Sequence, residues 1–95
     1  MKFKKENLQE LVSEGKADLA DGALETVRVR FNGTTRWEIL FELVFKYQDK
    51  LYITHYSEGK TEYQDTFPFE YEPNEIEVPE AEPYIVEITN YRVKQ

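Results

Sequence analysis

From Trp37 to Tyr47 an apolar side chain occupies every second position: Trp37, Ile39, Phe41, Leu43, Phe45 and Tyr47. Arg36, Glu38, Leu40, Glu42, Val44 and Lys46 fill the gaps. Successive side chains of a strand point to opposite faces, so the run predicts a long, half-buried strand with one apolar face. Just upstream, Val27, Val29 and Phe31 alternate with Arg28 and Arg30. Asn32-Gly33 between the two runs is a hairpin signal. Cross-strand partners share a face, so the odd-numbered apolar residues must oppose one another. A two-residue loop would set Val29 against Arg36. A three-residue loop, Asn32-Gly33-Thr34, sets Val29 against Trp37 and Val27 against Ile39, with a bulge near Gly33. The same register opposes Arg30 to Arg36.

The remaining chain arranges itself around this hairpin. Leu8, Leu11, Val12 and Leu19 follow helical spacing, so residues 1–22 read as a helical segment with Gly15 as a break or C-cap. Its apolar stripe is thin, and such a helix is stable only against a sheet. Gln48-Asp49-Lys50 marks a turn, Leu51–Ser57 a strand, Glu58-Gly59-Lys60 a turn and Thr61–Phe67 a further strand. Tyr52, Thr54 and Tyr56 share one side, with Leu51, Ile53 and His55 on the other. Residues 24–67 therefore read as a four-stranded meander, residues 68–83 as an acidic Pro/Glu segment and residues 84–93 as a last strand. Tyr84, Val86 and Ile88 form the inner face of that strand. The expectation is one α+β domain over residues 1–95, an N-terminal helix packed on an antiparallel meander of about five strands. Seven Tyr, six Phe and one Trp supply the apolar bulk of its core.

Charge is distributed unevenly. Residues 1–57 hold nine acids and nine bases, whereas residues 58–95 hold ten acids against Lys60, Arg92 and Lys94. The last 38 residues thus carry the entire net charge of −7. Such an asymmetry bears on partners and association rates, and it speaks against binding bare nucleic acid. Glu-x-Glu occurs at 70/72, 75/77 and 80/82, among Pro68, Pro73, Pro79 and Pro83. Proline bars the segment from a central strand position and favours extended backbone, in which residues i and i+2 point the same way ~6.8 Å apart. Each repeat therefore presents two carboxylates on one side. Such a segment can be a solvated connection that protects a sheet edge. It can also be a row of carboxylates docking on a basic groove, with Glu58, Glu62, Asp65 and Glu87 joining Glu70, Glu72, Glu75, Glu77, Glu80 and Glu82.

Catalytic chemistry finds few candidates. There is no cysteine and one histidine, His55, so neither a thiolate zinc site nor a Cys–His pair can be assembled. Ser57 follows His55 at i+2 on the same strand side, but no nucleophile elbow surrounds it; His55 reads as a satisfied sheet histidine. No calcium-loop pattern and no phosphate-cradling glycine loop is present, and no cofactor is expected. Arg28, Arg30 and Arg36 form a small basic patch that Glu38 and Glu42 cancel, an internal ion-pair surface. No apolar run approaches a membrane span, and no apolar stretch of signal-peptide type follows Lys4-Lys5. The lack of cysteine suits a reducing cytoplasm.

The stretches Arg36–Tyr47, Asp49–Ser57 and Thr61-Glu-Tyr-Gln-Asp65, short, acidic and rich in Tyr and Glu, resemble small accessory proteins of phages of Gram-positive bacteria. The resemblance covers about residues 24–93. That group includes anti-CRISPR and anti-restriction inhibitors, several of them acidic occupants of nucleic-acid channels. The resemblance implies a non-enzymatic inhibitor in the host cytoplasm that occupies the basic nucleic-acid-binding surface of a host defence protein such as a CRISPR effector. The alternative expectation is an assembly adaptor, a homodimer for instance, that self-associates through strand edges and exposed aromatics such as Tyr52, Tyr56 and Tyr63.

Overall fold

The structure is a computed structural model that describes residues 1–60 and 67–94. It is an α+β fold. The expected helix is shorter than residues 1–22: strand β1 (Lys2–Lys4) precedes α1 (Lys5–Glu14), and β2 (Lys16–Leu19) follows it. Leu8 and Leu11 bury completely and Val12 packs at their edge. Gly15 ends the helix in the left-handed region at φ 81°, its N–H donating to the Leu11 carbonyl at 2.8 Å. Beyond it buried Ala17 and half-buried Leu19 alternate with exposed Lys16 and Asp18, a period of two hidden inside an apparent helical stripe.

Strands β2, β3 (Gly22–Thr34), β4 (Glu38–Tyr47) and β5 (Lys50–Gly59) form an antiparallel meander in that spatial order. The first long hairpin departs from the expected register. Phe31 opposes Phe41 and Val29 opposes Leu43, and pairing runs on to Thr34 against Ile39. The loop is therefore Thr35-Arg36-Trp37, closed by the Thr35 hydroxyl accepting from the Glu38 N–H at 3.0 Å. Asn32-Gly33 is not the turn. It lies in the strand at an irregularity between Phe31 and Gly33, where Gly33 takes φ 117°. Odd residues meet odd residues only between the two irregularities; beyond them the parity crosses, with Thr26 against Phe45 and Thr34 against Ile39, and Val27 falls at the first irregularity. Arg30 consequently faces Glu42, not Arg36.

Gln48 and Asp49 form the expected turn, both at positive φ (50° and 62°), the mirror-image geometry that suits the twist of a two-residue hairpin. Tyr52, Thr54 and Tyr56 are buried on one face of β5, so Tyr52 and Tyr56 are core residues and not the exposed aromatics expected for self-association; Tyr63 lies outside the described residues. The expected turn at Glu58–Lys60 does not form there. Glu58 and Gly59 extend the ladder against Ile39 and Glu38. The strand expected from Thr61 lies, up to Thr66, outside the described residues, as do Glu62 and Asp65.

The Pro/Glu segment is part of the fold instead of a solvated connection. Ile76 and Val78 are buried in it. β6 (Glu75–Glu77) pairs with β1 as a two-stranded sheet, and β7 (Glu80–Ala81) adds to β5 as the fifth strand of the main sheet. The prolines limit these ladders to three and two residues. The core lies between the main sheet and the layer of α1, β1 and β6. Phe3 is its hub, meeting Phe45, Tyr47 and Tyr52 edge-on.

The expected last strand, Tyr84–Val93, is absent: residues 82–94 carry no regular secondary structure. Tyr84, Ile85, Val86, Ile88, Tyr91 and Val93 are exposed, Ile85 at 96%. A strand forms only with a ladder partner, and high β-propensity does not supply one. Among the described residues nothing pairs with this segment.

Candidate functional site

The carboxylates of the acidic half occupy three settings. Glu58, half-buried on β5, shares a cleft beside α1 with Glu70, Lys5, Gln9 and Pro68. Glu70 is spent locally, its carboxylate accepting from the Phe67 N–H at 3.3 Å. α1 holds this turn from the other side. Lys5 Nζ donates to the Glu72 carbonyl at 3.1 Å, and Gln9 donates to the Pro68 carbonyl at 2.9 Å. Glu58 also acts on Tyr56 two residues away. Burial raises the Tyr56 hydroxyl above its ordinary pKa, and the Glu58 carboxylate raises it further.

Glu72, Glu75 and Glu77 form the second setting, at the β1–β6 end. Glu75 and Glu77 flank buried Ile76 and point outward, facing Lys4 and Lys2 across the ladder. The Glu77 carboxylate also meets the Met1 ammonium at 3.0 Å, and that ammonium donates to the Val78 carbonyl at 3.0 Å. The third setting holds Glu80 on β7, then Glu82 and Glu87 on the exposed C-terminal segment. Among the described residues Glu72, Glu75, Glu80, Glu82 and Glu87 enter no ion pair, and all five are exposed. The structure thus does not unite the acidic residues in one row. It distributes them along one backbone pinned at β6 and β7.

The face of the main sheet opposite α1 carries the charged cluster of the hairpin. Glu42, its side chain only 18% exposed, lies 3.6 Å from Arg28 and 3.7 Å from His55. Of the ion-pair surface expected from Arg28, Arg30, Arg36, Glu38 and Glu42, the described residues form one pair, Arg28 with Glu42; Arg30 only faces Glu42 across the ladder, and His55 joins the cluster. Arg36 does not. It sits in the hairpin loop, its guanidinium 4.7 Å from the centre of the Trp37 ring. A cleft of about 370 Å³ on this face brings Arg28, Arg30, Val44 and Ile53 together with Tyr84 and Val86 of the C-terminal segment.

Val29 and Phe31 are residues whose face patterning assigned correctly but whose burial it did not. They lie on the core side of the sheet yet remain exposed, Phe31 at 62%. The reason is length. A ten-residue helix spans ~15 Å, and a thirteen-residue strand ~43 Å, so α1 covers only the proximal part of β3. Alternation assigns a face but carries no information on how far the covering layer extends.

Fold and surface together define an α+β protein whose acidic half is structural at its roots and exposed at its carboxylates. Comparison of the chain with protein-family models, curated proteins and solved structures returned no match. Among the described residues no group of three or more His, Asp or Glu converges as a metal site, and no helix is long and apolar enough to cross a membrane.

Proposed function

We propose that the protein is a non-enzymatic binding protein that engages a basic, nucleic-acid-handling partner through the carboxylates of residues 70–87, in the manner of a phage-encoded inhibitor of a host defence protein such as a CRISPR effector. One observation supports this reading above the others: Glu72, Glu75, Glu80 and Glu82 stand exposed on backbone that β6 and β7 tie to the body of the protein. Carboxylates held on a fixed frame bind with less loss of conformational freedom than carboxylates on a loose tail. Same-side carboxylates ~6.8 Å apart on extended backbone present closely spaced negative charge to a basic groove. The lysines facing Glu75 and Glu77 temper this pair, so the carboxylates without such neighbours, Glu72, Glu80, Glu82 and Glu87, carry most of the attraction.

The test is capture of basic proteins from a host lysate at low and at high salt, with the wild type and with a variant in which Glu72, Glu75, Glu80, Glu82 and Glu87 are all Gln. A captured nucleic-acid-binding protein is then assayed for displacement of its nucleic acid. The expected result is a salt-sensitive capture that the five substitutions abolish and a displacement that they prevent. Equal capture by the two chains would refute the proposal.

A further inference from the structure

The chain contains both halves of a strand pairing that it does not make. One half is an acceptor. β3 is bonded to β4 along one side, but along its other side β2 covers only Gly22–Glu25, and Thr26 donates to the Gly15 carbonyl. From Val27 to Thr34 that side has no backbone partner among the described residues, and Val27, Val29 and Phe31 are exposed along it. An apolar, unprotected edge of this length invites another strand. The other half is a donor. Residues 84–93, Tyr-Ile-Val-Glu-Ile-Thr-Asn-Tyr-Arg-Val, are rich in β-branched and aromatic types and stand exposed without a ladder.

The two halves match in face and in charge. An antiparallel register that sets Val29 against Ile88 and Phe31 against Val86 places apolar residues on the α1 side of the sheet. The same register sets Arg30 against Glu87 on the other side. A slip of one residue would set Arg30 against Val86 or Ile88 and reverse the faces, so the pairing specifies its own register.

The two halves cannot meet within one molecule. Ala81 lies level with Leu51, Lys46 and Glu25 across the sheet. A strand beside the open edge of β3 is four strand spacings from β7, ~19 Å, and Arg30 is five residues further along, ~17 Å, a separation of ~25 Å. Six residues from Ala81 to Glu87 reach at most ~20 Å even when fully extended. In its own molecule the segment gets only as far as the shallow cleft with Arg28 and Arg30, where Val86 stays more than half exposed.

We propose that residues 84–93 of one copy add as an antiparallel strand to the Val27–Thr34 edge of β3 in a second copy, with Glu87 facing Arg30. Each copy carries one donor and one acceptor, so two copies exchange segments reciprocally and complete a sheet of six strands in each. Of the carboxylates named in the acidic docking above, this assembly engages Glu87 alone, and Glu72, Glu75, Glu80 and Glu82 lie outside the paired segment.

Sedimentation of the full chain over a wide concentration range tests it. The expected result is a concentration-dependent dimer, and a monomer throughout when the chain is truncated after Pro83. Glu87→Arg is expected to weaken association roughly tenfold, and Arg30→Glu together with Glu87→Arg to restore it. Arg30→Glu also faces Glu42, so amide hydrogen exchange of the wild type gives a second readout. Amides of Val27–Phe31 gain protection as concentration rises. A monomer at every concentration, a dimer indifferent to the truncation, or unprotected Val27–Phe31 amides in the dimer would each overturn the proposal. A monomer whose segment pairs only with a different protein falls in the first of these.

Discussion

Phe3 meets Phe45 edge-on, with ring centroids 5.2 Å apart and planes at 80°. The contact joins the first strand of the chain to the central strand of the main sheet, and Tyr47 and Tyr52 complete the ring of aromatics around Phe3. Phe3→Ala removes the hub of this cluster and leaves a cavity beneath β1 and β6. A loss of about 3–5 kcal/mol of stability is expected, measured as a lower urea midpoint. An unchanged midpoint would mean that the N-terminal strand is not part of the cooperative unit.

Gly15 closes α1 at φ 81°, and no atom outside its neighbours crowds the place where a Cβ would sit. The cost of Gly15→Ala is therefore conformational and not steric. About 1 kcal/mol of destabilisation is expected. Thermal unfolding of the variant measures it, and a gain in stability would show that the helix end relaxes out of the left-handed conformation.

Asp49 occupies the second position of the Gln48-Asp49 turn at φ 62° and is fully open to solvent. Its pairing with Lys46 at 3.7 Å is a surface contact of little worth. Asp49→Gly is expected to stabilise the protein by about 0.5 kcal/mol, because glycine takes positive φ without a Cβ penalty. A chemical denaturation curve displaced to lower denaturant would contradict this account of the turn.

Tyr56 ionises less readily in the folded protein than its ordinary value of 10.0, first through burial and then through Glu58. Below that value the hydroxyl keeps its proton in both the folded and the unfolded states, and stability is unaffected. Above it the unfolded chain ionises first, so stability falls as pH rises through the raised folded value. Tyr56→Phe is expected to remove this part of the alkaline destabilisation. Glu58→Gln should bring the tyrosinate absorbance change of Tyr56 back toward its ordinary pH. Identical alkaline unfolding of Tyr56→Phe and wild type would exclude Tyr56 as its source.

Legibility in the sequence varied with how local each cause was. The alternation from Trp37 to Tyr47 identified β4 and its inner face, because period two is a property of the backbone itself. Gly15 and Gln48-Asp49 marked their turns for the same kind of reason. Ile76 and Val78 could not be seen as core residues, since two apolar side chains among glutamates carry no period. Asn32-Gly33 announced a turn with a bulge near Gly33; the irregularity is there, but the turn falls at Thr35-Arg36-Trp37, where Thr35 and Glu38 close it through their own hydrogen bonds. Of the three Glu-x-Glu repeats expected on extended backbone, Glu75/Glu77 lies on a strand, with Lys4 and Lys2 facing it unforeseen, whereas Glu70 and Glu72 lie in a turn.

By itself the sequence determined the fold class, the inner face of β4, the division of β5 into two faces, and the concentration of acid in the last 38 residues, each a consequence of side-chain period or simple count. Only the tertiary structure decided which strands found partners. It brought the Pro/Glu segment into the core through Ile76 and Val78. It left residues 84–93 and the far edge of β3 without partners among the described residues, because a helix of ten residues cannot cover a strand of thirteen and six residues cannot cross four strand spacings.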